Sequence, residues 1–479
     1  MHDDLAYADV FTLRAEQVPA AELARALVER IGAIDEPGSP TELRSVLAVS
    51  PRAVDEAKRC DTGPKRGPLH GLPVLVKDNI EVAGMPSCAG ATSLAGRPAV
   101  RDAPLVARLR EAGAIVLGTT NLSEWANIRS PRSTSGWSAI GGLTANPWAL
   151  DRSAGGSSSG SGAAVAAGLA PLAVGTETDG SITCPCSLNG VAGIKPTVGL
   201  VPAGGVVPIS RSQDSPGPMA RTVEEVALLL EVLSATPGIL DRTRRGVADL
   251  RVGVARTWRT GHPATDRLFD DTTALLRDSG ADLLDIEVPV PTPEVEEDEL
   301  TVLLCELVEG MSLYLPTRGP QGPQSLAEVV EHENANSSIE LAHFGHEFFE
   351  RALSLGGTGT GTYRDARTRN LAWARGDCLE PALSKCDVLI APSYGPAWKS
   401  DLTLGGHPAA ASPVTTPPAI AGWPVATVPM GAVDGLPVGV CAVGRPGSEP
   451  LLLAVCRAVE QLNDGNPPQR PAWRQPTRG

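Results

Sequence analysis

Residues 155–185 read GGSSSGSGAAVAAGLAPLAVGTETDGSITCP. Ser157, Ser158 and Ser159 stand in a row, with Ser161 close behind, and glycines bracket them. The small-residue run SGAAVAAGLA (161–170) predicts a helix, and PLAVGTET (171–178) predicts a strand. This order of helix and strand recurs on both sides. GLPVLVKDNI (71–80), AIVLGTTN (114–121), DLRVGVA (249–255), ADLLDIEV (281–288), CDVLIAP (386–392) and LPVGVCAVG (436–444) read as strands. PAAELARALVERIGAID (19–35), APLVARLREAGA (103–114), TVEEVALLLEVLSA (222–235) and EPLLLAVCRAVEQLN (449–463) carry helical spacing. A further helix is predicted over LSEWANI (122–128), capped by Asn121 or Ser123. Strands separated by helices predict an α/β fold with a parallel or mixed sheet covered on both faces.

No fixed period repeats. Residues 290–385 are the most helical part and have the weakest strand signal, which fits a lid or sub-domain as well as ordinary helices on one sheet. The tail NPPQRPAWRQPTRG (466–479) is polar and proline-rich and is expected to fray.

Composition narrows the function classes. The chain has 479 residues, with 41 basic against 55 acidic side chains and a net charge of −14. That balance supplies no footprint for a polyanion, so no nucleic-acid partner is expected. The amino terminus lacks a basic, apolar leader pattern, and no run of about 18 apolar residues suggests a membrane span. Nine scattered cysteines, Cys184 and Cys186 among them, fit neither a redox pair nor a zinc knuckle. Reduced thiols in a cytoplasmic protein are the expectation.

Three chemistries compete for the serines. Gly156-Ser157-Ser158-Ser159-Gly160 matches GxSxG with Ser158 at its centre, but that turn needs a strand before it, and NPWALDRSAGG is a poor one. None of the seven histidines is an obvious base. Metal is the second reading. His343 and His346 lie in AHFGHEFFE near Glu347 and Glu350, but the spacing is not HExxH and the ligand count falls short. No metal is therefore expected. The third reading uses a lysine. PVLVKDNI places Lys77 at the end of an apolar strand, where burial would keep its amine neutral. A lysine reaching one serine, which relays a proton to a second, gives a Ser-Ser-Lys system.

The chain resembles the amidase signature family at LHGLPVLVKDNI (69–80), in the 155–185 block, at NGVAGIKPTVGLVP (189–202), and on to VPMGAVDGLPVGV (428–440). The resemblance implies a single domain over 1–479 with a mixed β-sheet between helices, no cofactor, and hydrolysis of carboxamides through an acyl-enzyme. It implies Lys77 as the catalytic lysine, Ser157 as the bridging serine after a cis peptide bond, and Ser181 as the nucleophile. The backbone N–H groups of Thr178, Asp179, Gly180 and Ser181 would form the oxyanion hole. Gly156 and Ser158 would support the site, and Ser159 and Ser161 would cap the next helix.

One departure bears on substrate. Many members have Gly-Gly-Ser-Ile-Arg at the nucleophile, whereas this chain has Asp179-Gly180-Ser181-Ile182-Thr183, with no arginine to hold a carboxylate. NLSEWANI (121–128), SGWSA (135–139) and ELAHFGHEFF (340–349) resemble the peptide amidase branch, which implies release of ammonia from peptide C-terminal amides or related acyl and aryl amides. Trp125 would then offer an apolar wall and Asn127 a polar handle, although packing would explain both equally well. Residues 290–385 would lie on the substrate side. Two other readings stay open: a partner-dependent glutaminase component of a tRNA-dependent amidotransferase, and a non-hydrolytic binding or biosynthetic protein on the same fold. The expected partner is a small-molecule or peptide amide. A homodimer is left open, and no membrane is implied.

Overall fold

The computed structural model describes residues 2–248, 250–405, 410–462, 470, 471 and 473. Its centre is an eleven-stranded mixed sheet. In chain order the strands are β1 (Val46–Val49), β2 (Pro73–Lys77), β3 (Ile115–Thr120), β4 (Leu172–Glu177), β5 (Ala192–Lys195) and β6 (Ser215–Ala220). They continue as β7 (Arg251–Ala255), β8 (Asp282–Ile286), β9 (Val388–Pro392), β10 (Val425–Val433) and β11 (Leu436–Val443). Across the sheet they run β1-β3-β2-β4-β6-β5-β10-β11-β9-β7-β8. β2 lies parallel to both β3 and β4, and β7 is parallel to β8 and β9. The middle pairs are antiparallel. Every residue of β2, β3 and β4 is buried, so helices cover both faces there. The edge strands β1 and β8, by contrast, are part-exposed. The chain is one large α/β domain, as the alternating pattern implies.

The 155–185 block forms the predicted helix and strand, Ser159–Ala166 followed by β4. Its glycines serve close approach. A Cβ at Gly160 would lie 2.2 Å from the Ser45 carbonyl and 2.5 Å from that of Asn121. Ser159 and Ser161 do not cap this helix, contrary to expectation. Ser158 holds the N-cap position without a side-chain cap. Ser159 Oγ donates back to the Gly155 carbonyl at 2.5 Å, and Ser161 Oγ is 2.8 Å from Thr120 Oγ1 on β3. The hydroxyls join the helix to its neighbours and do not serve its own N–H groups. Thr222, by contrast, caps Val223–Ser234 in a full capping box with Glu225.

LSEWANI is not an α-helix. It forms a short 3₁₀ turn, Glu124–Asn127, because Trp125, Ala126 and Asn127 have φ of 50°, 54° and 77°. The candidate caps are also used elsewhere. Asn121 Oδ1 accepts the Ser138 hydroxyl at 2.7 Å, and Ser123 Oγ accepts the Gly136 N–H at 2.9 Å.

From Pro293 to Leu383 the described residues form helices and turns and no strand. Leu304, Leu307, Met311 and Phe349 pack there against Trp125, Leu94, Val207 and Ile209. Each fully buried side chain of this kind contributes roughly 1.5–3 kcal/mol to docking the segment. The sequence pattern did not announce one property of its first helix. Pro293–Arg318 is long and apolar enough to cross a membrane by length and composition, and half of its 18-residue apolar stretch is buried in the fold. The proline-rich tail lies mostly outside the described residues.

Candidate active site

The site forms where β2 and β4 end side by side. β2 delivers Lys77 into the interior, where its side chain is fully enclosed. Lys77 Nζ lies 2.7 Å from Ser157 Oγ and 2.8 Å from Thr176 Oγ1, and donates to the Thr176 carbonyl at 3.3 Å. Burial pulls the amine down to about 7, although the charges of Asp214 and Glu177 oppose the fall. Asn79 Nδ2 donates to Thr176 Oγ1 at 3.0 Å and fixes that hydroxyl.

The Gly156–Ser157 peptide bond is cis. Ser157 is fully buried, and its carbonyl accepts the Ser123 N–H at 3.0 Å. Ser158 Oγ donates to the Thr176 carbonyl at 3.1 Å and accepts the Thr176 N–H at 3.2 Å, so it ties the serine run to β4. Its own N–H donates to the Ser181 carbonyl at 3.0 Å, which sets the two serine segments beside one another. Among the described residues no hydrogen bond joins the Ser157 and Ser181 hydroxyls.

Between β4 and the Thr183–Asn189 helix the chain turns through Thr178, Asp179, Gly180 and Ser181. Gly180 has φ +80°, and a Cβ there would lie 2.6 Å from Tyr394 Oη. Among the described residues, none of the four backbone N–H groups of 178–181 donates to a protein acceptor. Free N–H groups in a turn beside a hydroxyl are what an oxyanion requires. Ser181 itself is 9% exposed, so it is the reachable hydroxyl where Ser157 and Ser158 are enclosed.

Several contributors carried no sequence signal of their own. Glu177 accepts the Ile182 N–H at 2.7 Å and the Thr183 N–H at 2.8 Å, fixing the residues after Ser181. Burial raises the Glu177 carboxyl, and the charge of Lys195 counters this. Asp214 accepts the Thr178 hydroxyl at 2.6 Å and is pushed by burial up to about 6. Asp179 is part-exposed, accepts the Thr416 hydroxyl at 3.0 Å, and is also raised, first by burial. These roles depend on contacts distant in sequence, which no local pattern announces.

Beside Thr176 and Thr178 opens a cleft lined by Asn79, Ala126, Val207, Ile209 and Asp214. A separate cleft of about 290 Å³, which shares Val206 and Asp214 with it, lies between residues 198–211 and Glu306, Glu309 and Leu313. Trp125 is enclosed against the helical segment. Its ring meets Phe349 edge-on at 5.9 Å, and its Nε1 donates to Glu333 at 3.0 Å. Asn127 is half-buried, with no partner for Oδ1 among the described residues. His343 and His346 take separate partners, the Trp137 ring edge at 5.2 Å and Glu333 at 2.8 Å. Glu124, Glu333 and Glu340 do converge, but around Arg129 Nη1.

A buried lysine on a serine hydroxyl, beside a turn of free N–H groups, is an arrangement that an amide-hydrolysing enzyme can use. The chain belongs to the amidase family, whose family model matches residues 22–453. It is 32% identical to the glutamyl-tRNA(Gln) amidotransferase component of Symbiobacterium thermophilum, over 94% of each chain. It is 33% identical to a probable amidase of Arabidopsis thaliana, over 88% of this chain and 83% of that one. The native peptide amidase of Stenotrophomonas maltophilia is similar in structure, with a TM-score of 0.89, 40% identity, and coverage of 97% and 98%. A peptide amidase bound to the competitive inhibitor chymostatin superposes with a TM-score of 0.90 at 40% identity, covering 96% and 99%.

Proposed function

We propose that the chain releases ammonia from peptide C-terminal amides or related acyl and aryl amides through a Ser-Ser-Lys triad. The observation that carries this is the enclosed Lys77 amine 2.7 Å from Ser157 Oγ, lowered to about 7. Neutral, it takes the Ser157 proton as Ser157 takes that of Ser181. The Ser181 oxygen bonds to the carbonyl carbon, and the resulting oxyanion rests on the N–H groups of Thr178, Asp179, Gly180 and Ser181. The proton returns through Ser157 to the nitrogen, the C–N bond breaks, and ammonia leaves. Water then attacks the ester, giving the acid and restoring Ser181.

The likeness to peptide amidases at 40% identity supports the peptide amide reading. The departing group fits the same reading, because ammonia needs little room and the neighbouring cleft that shares Val206 and Asp214 offers space for an acyl portion. The helical segment walls that cleft through Glu306, Glu309 and Leu313, which supports a substrate-side role for residues 290–385. Thr183 puts no cation where many members of the family have an arginine. Nine free, buried cysteines support a reducing, cytoplasmic setting.

The test is a matched pair, one peptide as its C-terminal amide and one simple fatty or aryl amide. Ammonia should come from the peptide amide, with internal peptide bonds intact. Rapid turnover of the simple amide alone removes the peptide assignment. The 32% identity to a glutamyl-tRNA(Gln) amidotransferase component favours a second reading, a glutaminase that works with a partner. Activity of the isolated chain on the peptide amide decides against it.

A further inference from the structure

Beside Ser157 lies a turn that local sequence preference does not explain. Trp125, Ala126 and Asn127 follow one another in left-handed backbone. Residues with side chains hold that region only where surrounding contacts impose it. Here the contacts are ionic and buried. Glu124, just before the run, pairs with Arg129 just beyond it, and neither side chain is exposed. The same Arg129 nitrogen lies 3.3 Å from Glu340 and 3.9 Å from Glu333, and the guanidinium stands 4.4 Å from the Phe344 ring centre. One guanidinium thus faces three carboxylates, and burial pushes the Glu124 carboxyl well above its ordinary range while the Arg129 charge opposes the rise.

Each carboxylate is tied further. The other oxygen of Glu124 accepts the Ala139 N–H at 2.8 Å. Glu333 meets Trp125 Nε1 at 3.0 Å and His346 Nδ1 at 2.8 Å. Glu340 accepts the Thr92 N–H at 2.7 Å.

The cluster leads to both ends of the Lys77–Ser157 contact. Ser123, next to Glu124, donates its N–H to the Ser157 carbonyl at 3.0 Å. A Cβ at Gly156 would lie 2.3 Å from Ser123 Oγ, so loop and serine segment touch without spare room. On the other side the Trp125 N–H donates to the Ala89 carbonyl, and the Ala89 N–H donates to the carbonyl of Asp78, the residue after Lys77, each at 3.1 Å.

We propose that Glu124 and Arg129 are positioning residues for amide hydrolysis: their ion pair imposes the left-handed turn, and the turn holds Ser157 against Lys77. Neither touches substrate, and the assignment rests on the relay role of Ser157. Arg129→Met, Arg129→Lys and Glu124→Gln are to be compared with Ser157→Ala on a peptide amide and on an activated ester of the same acyl group.

Only the poor amine leaving group depends strongly on a delivered proton, so the loss should be selective. For Arg129→Met and Glu124→Gln, kcat on the amide should fall roughly 10- to 100-fold, with the ester much less affected and KM little changed. Arg129→Lys keeps the charge and loses the fork, so it should fall between these and the unaltered enzyme. Ser157→Ala should show the same selectivity more strongly, about 10²- to 10⁴-fold on the amide. Glu297→Gln, which removes an exposed pair with Arg351, should change neither rate.

Melting curves establish which variants fold. If Arg129→Met does not fold, Arg129→Lys carries the comparison. A folded Arg129 variant with full amide turnover overturns the proposal, and so does an equal loss on amide and ester. If Ser157→Ala spares the amide, the relay reading itself has failed and the positioning role falls with it. If Ser157→Ala is amide-selective and the Arg129 and Glu124 variants are not, the positioning role alone has failed.

Discussion

Lys77 and Lys195 each end a strand of the central sheet, β2 and β5, and each side chain is fully enclosed. Burial lowers both amines, to about 7 and to about 8. Their partners differ. Lys77 meets the hydroxyls of Ser157 and Thr176. Lys195 donates to the Trp423 carbonyl at 2.9 Å, with Glu177 and Asp179 as the main charges that sustain its own. A carbonyl has no proton to give, so Lys195 has nothing to deprotonate. It instead supplies the counter-charge for Glu177, which fixes Ile182 and Thr183 beside Ser181. A lowered amine is thus common to both regions, and in the proposed mechanism the group it touches separates a base from a support.

The largest effect expected is at the hydroxyl that the Lys77 side serves. Ser181→Ala should lose at least about 10⁴-fold in kcat while remaining folded, the scale seen when a nucleophile is removed. A serine-directed phosphonylating probe should label the peptide carrying Ser181, read by mass spectrometry. A label on Ser158 or Ser159 would return the chemistry to the serine run and dissolve the comparison.

Next come the lysines themselves. Lys77→Met should lose roughly 10³- to 10⁴-fold in kcat/KM, whereas a folded Lys195→Met should lose about tenfold or less. The sign of the pH dependence follows from Lys77. Its amine is neutral and active above about 7, so kcat/KM should fall as pH drops through that value. Lys195→Met should leave this acid limb in place. A limb that moves with Lys195, or an equal loss from the two substitutions, would show that both amines take part in proton transfer.

The two regions also differed in legibility. Lys77 could be read because an apolar strand runs straight into it, and that strand pattern alone implies burial. Other strands were readable for the same reason, since β3, β4, β9 and β11, like β2, are largely runs of apolar residues. β6 was not, because SPGPMA contains two prolines, which argue against an interior strand. The structure accommodates them because β5 pairs only with Met219 and Ala220, beyond both prolines. The left-handed turn at 125–127 reads as helix from local pattern, because the Glu333 and Glu340 side chains that Trp125 and Arg129 meet lie 208 and 211 positions farther along the chain and leave no local signal. Glu177 and Lys195 were unread for a related reason. Their roles are defined by one another and by the turn between them, and neither residue type predicts that pairing.

The smallest effect is thermodynamic, and here the two lysines should differ in sign. A free lysine titrates near about 10.4, and Lys77 in the fold near about 7. Between those values the unfolded chain binds more protons than the folded one, so the unaltered protein gains stability as pH rises and carries the full cost of charging Lys77 below about 7. Lys77→Met removes that cost. At about 1.36 kcal/mol per unit the range is on the order of 4 kcal/mol, less the hydrogen bonds to Ser157 and Thr176 that are lost. Its melting midpoint relative to the unaltered protein should therefore be most favourable near pH 6 and decline toward pH 10. Lys195→Met removes a similar cost but strips Glu177 of its counter-charge, and an unpaired buried carboxylate is strongly destabilising. It should melt below the unaltered protein at neutral pH. Thermal unfolding of both variants at pH 6, 8 and 10 makes the comparison. Two variants that shift together at every pH would mean that burial alone governs both amines, and that the difference between their partners has no energetic consequence.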